Sequence, residues 1–131
     1  MRYALDADVL IGALDANDAH HSDARGLLTN WHEQQETVLI SLVNLSEVLV
    51  APAADEHRMR TARSAIAALG VTIHQPTEAI AVEAARLRSR HPISLPDSYL
   101  LATARHLHAQ VASFDAKIAR AAKAEHIGTH S

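Results

Sequence analysis

The chain has 131 residues, 48% of them apolar, which fits one compact domain with a real core and excludes wholesale disorder. It has no cysteine, which excludes a disulfide framework, a thiolate zinc site and cysteine nucleophilic catalysis. A net charge of −3 argues against coating nucleic acid by charge alone, but leaves open an acidic metal site, where the ion reverses the local sign of charge. Aromatics are 3%, so Ala, Leu, Ile and Val must fill the core, which favours helices packed closely on a small sheet. The first residues, Met1 to Leu14, carry Asp6 and Asp8 inside an apolar run, which is wrong for a signal peptide. No apolar stretch is long enough to span a bilayer, so the expectation is a single domain over residues 1–131, soluble and cytoplasmic, with no membrane partner.

In chain order, Tyr3 to Asp6 reads as a short strand and Val9 to Leu14 as a short helix. Asp18 to Gln35 is a second helical stretch, with Ala24, Leu27, Leu28 and Trp31 at helical spacing. Thr37 to Ser41 is β-branched, apolar and brief, a buried strand. Leu45 to Val50 is helical and stops near Pro52; Asp55 to Leu69 is a helix ended by Gly70. Val71 to His74 is a strand. Thr77 caps a helix running to Arg90, with Pro92 beyond it. Pro96 to Ala109 is a helix, Gln110 to Ser113 a strand, and Asp115 to Ala124 the last helix. Alternating strands and helices predict an α/β fold: a small, mainly parallel central sheet with helices on both faces.

In open α/β sheets the chemistry lies outside the carboxyl ends of the strands. Four acids share that address. Asp6 ends the first strand, Asp115 lies just past the strand ending at Ser113, and Glu47 and Asp97 lie in first turns of helices that can face the same edge.

Four blocks carry a resemblance. Leu5-Asp-Ala-Asp-Val-Leu-Ile11 is similar to the opening motif of PIN-domain nucleases. Ile40-Ser-Leu-Val-Asn-Leu-Ser-Glu-Val-Leu49 resembles their second block, a strand, a turn and a helix bearing one Glu. Leu95-Pro-Asp-Ser-Tyr-Leu-Leu-Ala-Thr-Ala104 resembles the third, and Val111-Ala-Ser-Phe-Asp115 the fourth. The blocks keep the family's order and cover almost the whole chain, and the short form most resembles VapC toxins of type II toxin–antitoxin pairs. The resemblance implies a PIN-like three-layer α/β/α sandwich and an endoribonuclease dependent on Mg²⁺ or Mn²⁺. It also implies RNA as substrate, silencing by a small VapB-like antitoxin, and a homodimer. By the same resemblance Asp6, Glu47, Asp97 and Asp115 are the acidic quartet, and Ser113 is the supporting hydroxyl. The chemistry of such a set is direct. Mg²⁺ seeks oxygen ligands, and phosphodiester cleavage needs an activated water and a stabilised leaving oxygen. Clustered carboxylates without a cation repel one another and are costly.

Each residue also has a structural reading. Ser94-Leu-Pro-Asp97 and Asn44-Leu-Ser-Glu47 both fit a helix capping box, and Asp115 can cap the last helix. Asp6 is the least easily explained as structure, because a carboxylate at a buried strand end is expensive without a partner. Asp8 departs from the family, where a small hydroxyl or amide is common; it reads as the cap of a helix starting at Val9, or as an extra acid beside the ion. Ile118 stands where the family commonly has an aromatic, a change that keeps a core-packing role. Of the ten histidines, the densest groups are His20-His21 and His106/His108; His106 and His108 are two apart on one predicted helix, not at the three or four that zinc sites on helices want, and the histidines read as solvated surface groups. Arg58, Arg60 and Arg63, and Arg86, Arg88 and Arg90, read as solvated helix faces or as holders of RNA phosphates or antitoxin acids. Val43, Leu45, Val48, Leu49 and Val50 read as core, or as a dimer or antitoxin groove. Two rivals remain. Asp6-Ala-Asp8 is also the Asp-x-Asp of haloacid-dehalogenase-like phosphotransferases with Asp6 as nucleophile, although Lys117 and Lys123 are poorly placed for that chemistry. The other is a non-catalytic RNA- or partner-binding domain.

Overall fold

The computed structural model describes residues 1–130. Four strands, β1 (Arg2–Leu5), β2 (Thr37–Ser41), β3 (Val71–His74) and β4 (Gln110–Ala112), form a sheet in the order β3-β2-β1-β4, with every pair parallel. Tyr3 sits between Val38 on one side and Gln110 on the other, which puts the ends of β1, β2 and β4 on one edge. The helices are α1 (Ala7–Leu14), α2 (His21–Glu33), α3 (Leu42–Leu49), α4 (Glu56–Ala68), α5 (Glu78–Arg90), α6 (Leu95–Leu107) and α7 (Ala116–Ala124), with a 3-10 turn at Ala51–Ala54.

Strand alternation sorts the core into two layers. Ala4, Leu39 and Val111 face Ile80, Leu87, Leu100, Leu101 and Ile118 of α5, α6 and α7. Leu5, Val38, Ile40 and Ala112 face Val9, Leu10, Leu28, Val48 and Ile66 of α1 to α4. This is the three-layer α/β/α sandwich expected from the alternating pattern. Helices cover both faces of the sheet at β1, β2 and β4, as parallel sheets require, while the edge strand β3 keeps Thr72 and Ile73 exposed. Each fully buried Leu or Ile contributes about 1.5–3 kcal/mol, and truncating Leu101 to Ala costs roughly 2–5 kcal/mol. Ile118 is fully buried, so the expected packing role holds.

Three boundaries differ from the sequence reading in ways that matter below. α1 begins at Ala7 rather than Val9, directly after Asp6. α3 begins at Leu42 rather than Leu45, because the Ser41 hydroxyl accepts the Val43 N–H at 3.3 Å and turns β2 straight into a helix. α6 stops at Leu107, where His108 turns left-handed with φ of 52°, so His108 is not on the helix with His106. Thr77 caps α5 as expected, accepting from Ile80 N–H. Gly70 ends α4 at φ of 77°, and a Cβ there would lie 2.5 Å from His32 Nδ1. Beyond α7 the chain returns beside β4, with Val111 N–H donating to Gly128 at 2.8 Å and His130 N–H to Val111 at 2.9 Å.

An ion cluster ties the second helical layer together. Glu125, just past α7, accepts from Arg90, Arg105 and His91, and Glu83 accepts from Arg105. Arg90 is therefore engaged within the fold, while Arg86 and Arg88 are exposed. The hydrogen bonds from Arg90 above all, then those from His91 and Arg105, outweigh burial and hold the Glu125 carboxyl down to about 2 from an ordinary 4.5. A depressed acid pKa adds stability that is complete above the unfolded value and is lost as pH falls through the folded one. Glu125→Gln is expected to lower the melting temperature by about 5 °C near neutral pH. The gap should shrink as pH falls from 4.5 towards 2. A pH-independent gap in thermal melts would contradict this account.

Candidate active site

The turn from β1 into α1 leaves Asp6 no loop in which to reach solvent. Its backbone is extended (φ −70°, ψ 152°), it occupies the cap position of α1, and it is 6% exposed. Its side chain does not cap. Instead Ser113 Oγ donates to Asp6 Oδ2 at 2.7 Å and itself accepts the Asp115 N–H at 3.0 Å. The backbone reinforces this, with Asp6 N–H donating to Ala112 O at 2.9 Å. One hydroxyl thus joins the ends of β1 and β4.

Asp8 does not cap a helix, correcting one of its two readings: α1 begins before it, so Asp8 lies inside the first turn. Its Oδ2 accepts the Phe114 N–H at 3.0 Å, across the same β1–β4 junction. Its Oδ1 is buried, and among the described residues it has no hydrogen-bond partner. Asp97 and Ser94 form the capping box, with Asp97 N–H donating to Ser94 Oγ at 3.2 Å and Ser94 N–H to Asp97 Oδ2 at 3.4 Å. Asp115 caps α7, its Oδ1 accepting the Lys117 N–H at 2.8 Å. Both are half-buried, so these bonds hold the backbone while leaving carboxylate surface free.

Glu47 stands apart. It lies in the second turn of α3, not the first, because that helix starts early, and it is exposed. The capping-box reading of Asn44 and Glu47 fails for the same reason, since Asn44 is inside the helix. Asn44 is fully buried, and its Nδ2 donates to Glu47 Oε1 at 3.3 Å and to Pro96 O at 3.0 Å. It therefore ties Glu47 to the start of α6, one residue before Asp97. The sequence signal for this role is an amide one helical turn before Glu47 in an otherwise apolar run.

The electrostatics link the rest. Burial first, then the charges of Asp8 and Asp97, push the Asp6 carboxyl up to about 7, against the hydrogen bonds from Ser113 and Ala7. Burial also raises Asp8, opposed by the Phe114 N–H, and the charge of Asp115 adds to the rise. Asp6, Asp8, Asp97 and Asp115 thus share one field. Among the described residues no three acidic or histidine side chains form a ready metal cage. The donor set suits a hydrated hard cation, because Mg²⁺ usually keeps several waters and takes one or two carboxylates. The unpartnered Asp8 oxygen and the mutual repulsion at Asp6 are both relieved by positive charge at that point. Lys117 and Lys123 are exposed on α7, and among the described residues neither side chain bonds to Asp6, whose described side-chain hydrogen bond comes from Ser113, so the lysine a phosphotransferase wants is not at hand.

The family model of the PIN domain matches residues 3–124. Comparison with curated protein sequences gave no significant match. Among solved structures, VapC20 of Mycobacterium tuberculosis, a toxin that cleaves the sarcin–ricin loop, is similar with a TM-score of 0.75, 21% identity, and coverage of 91% of this chain and 94% of that one. A chain of a toxin–antitoxin complex from Klebsiella pneumoniae is similar at 0.71 and 26% identity, covering 88% of each chain. VapBC2 from Rickettsia felis, bound to a promoter DNA fragment, is similar at 0.76 and 14% identity, covering 99% and 98%.

The raised Asp6 pKa has a sign that can be checked. An acid whose folded pKa lies above its unfolded value stabilises the fold when protonated, and this stability is lost as pH rises from 3.8 through about 7. With divalent ions chelated, Asp6→Asn should therefore melt higher than the parent chain at pH 8, with the gap closing towards pH 4. A lower melting temperature at pH 8 would show that the Asp6 carboxylate is a structural asset.

Proposed function

The chain belongs to the PIN-domain family, and from that premise we propose that it is a divalent-metal-dependent endoribonuclease, the toxin of a VapBC-type toxin–antitoxin pair. The observation that carries this reading is Asp6: a buried carboxylate at the end of a central strand, joined through Ser113 to Asp115 and raised by Asp8 and Asp97. A fold has no use for such crowding, whereas a cation site does. Among the described helices none is long and apolar enough to cross a membrane, which accords with a soluble protein in the cytoplasm.

Asp6 and Asp97 would hold Mg²⁺ or Mn²⁺, with Asp8 and Asp115 beside them and Glu47 at the margin. When bound, the ion supplies positive charge for the phosphate and for both the attacking and the leaving oxygen. The chain's own residues do the positioning. Ser113 fixes the Asp6 carboxylate and the Asp115 backbone, so the two strand ends cannot drift apart. The Ser94 capping box fixes Asp97, and Asn44 fixes Glu47 against α6. Asp6 surrenders its proton on loading, since a carboxyl near 7 is poised between both states at working pH.

The partner in this reading is a small antitoxin. Similar folds were solved in a toxin–antitoxin complex from Klebsiella pneumoniae and as VapBC-1 from nontypeable Haemophilus influenzae. Its apolar segment is assigned to a groove of about 570 Å³ between α1, α3 and α4, walled by Ile11, Leu14, Val48 and Ala62 with Glu47 and Arg58 at its rim. Leu45 and Val48 of the apolar run belong to the core, whereas Val50 is 72% exposed.

Asp6→Asn and Asp97→Asn should each reduce RNA cleavage with Mg²⁺ or Mn²⁺ to background while circular dichroism stays native. Ser113→Ala, which acts through Asp6, should lose about 10–100-fold. Full activity of either aspartate variant, or undiminished cleavage in excess chelator, would sink the assignment.

A further inference from the structure

A second cavity, of about 500 Å³, opens beside the acids. Ser113 and Phe114 form one wall of it, and the exposed flank of α2 forms the other, with Ser22, Asp23 and Asn30. Its volume lies within the ordinary range of ligand pockets, ~300–1,000 Å³. It shares Ser113 with the acidic site, where the Ser113 hydroxyl donates to Asp6, so the two adjoin.

Three observations bear on what fits there. First, Gly26 lies in the middle of α2 and lines the cavity, yet a Cβ at Gly26 would meet nothing within 4 Å. A glycine inside a helix is unfavourable, and no packing contact in the chain requires this one. Its effect is to leave the cavity wall open. Second, the chain has only four aromatic side chains (two Tyr, one Trp, one Phe), and one of them, Phe114, lines the cavity together with the ring of His130. Phe114 stacks on exposed His20, with ring centroids 4.1 Å apart and planes 10° apart. His130, which also lines the cavity, stands edge-on to both Tyr3 and Trp31, themselves stacked at 3.9 Å. Third, among the described residues lining the cavity there is no Lys or Arg, and Asp23 is present. That lining repels phosphate and accepts hydrogen bonds from amino groups.

We propose that this cavity takes the unpaired base of the RNA nucleotide flanking the scissile phosphate, and that Asp23 favours a base carrying an exocyclic amino group over uracil. The inference rests on the ribonuclease reading above. RNA is read in single-stranded regions, where splayed bases stack on aromatic and histidine rings and present their edges to side chains. The sugar–phosphate chain stays outside, at the acids, and the base turns inward past Phe114. Asp23 also sits in the first turn of α2, where a negative charge favours the helix; the test separates the two roles by reading base choice.

The experiment is cleavage of a randomised RNA pool by the full chain with Mn²⁺, followed by sequencing of the cut ends, alongside KM and kcat on one good substrate. The parent chain should disfavour uracil at one position flanking the cut. Gly26→Leu, which fills the cavity from a helix position that tolerates leucine better than glycine, should melt no lower than the parent, raise KM about tenfold and flatten that preference. Asp23→Asn should relax the discrimination against uracil with kcat little changed. An unchanged cut profile and KM in Gly26→Leu would overturn the proposal, as would a profile with no base preference beside the cut. Unchanged cleavage by Gly26→Leu together with lost binding of a protein partner would assign the cavity to that partner and also overturn it. A parent chain that cuts no RNA at all marks instead the failure of the ribonuclease reading.

Discussion

The constraint on which the rest depends is the desolvation of Asp6. A carboxylate at the end of a central strand of a parallel sheet loses most of its water, and its neighbours Asp8 and Asp97 add like charge. Buried charges persist when paired or bound to metal, and otherwise they neutralise by taking a proton. Among the described residues Asp6 gains the Ser113 hydroxyl and the Ala7 N–H, and no ion pair. The fold thus carries a charge problem at one point of its surface, and the proposed solution is a bound cation.

The sheet topology decides which residues share that point. With every strand parallel, all carboxyl ends fall on one edge, and the two strands flanking β1 deliver their own following residues to it. From β4 come Ser113, Phe114 and Asp115; from β2 come Ser41 and, a turn later, Asn44 and Glu47. Strand-to-helix turns with little or no loop make the placement rigid, which suits a site that must hold geometry against repulsion. Capping and site roles are then compatible. The Asp97 and Asp115 carboxylates each accept a backbone N–H at a helix start, from Ser94 and Lys117, and that bond fixes where the remaining carboxylate surface points.

The fold was legible because its signals are local. Alternating apolar runs, Thr77 as a cap and Gly70 as a stop located the elements and their order, and parallel pairing followed from the alternation. The resemblance in four blocks named the family that the domain match then showed. Within the proposed site, the positions of Asp6, Asp97 and Asp115 were legible, because they follow from strand ends and helix starts. Those of Asp8, Glu47 and Asn44 were less so. All three depend on where a helix begins, and Ser41 and Asp6 each start one earlier than periodicity suggests. A shift of three residues moves Glu47 a full turn away and turns Asn44 from a cap into a buried tether to Pro96. The pairing of Ser113 with Asp6 joins residues more than a hundred positions apart, and no local pattern encodes it.

The central claim is that these acids exist to hold a divalent ion. Calorimetric titration of Mn²⁺ into the metal-free chain near pH 7, repeated in buffers of different ionisation enthalpy, tests it most directly. The account predicts saturable binding coupled to proton release in the parent chain, with affinity and released proton both lost in Asp6→Asn. Absence of Mn²⁺ binding by the parent, or equal binding and proton release by the variant, would contradict it.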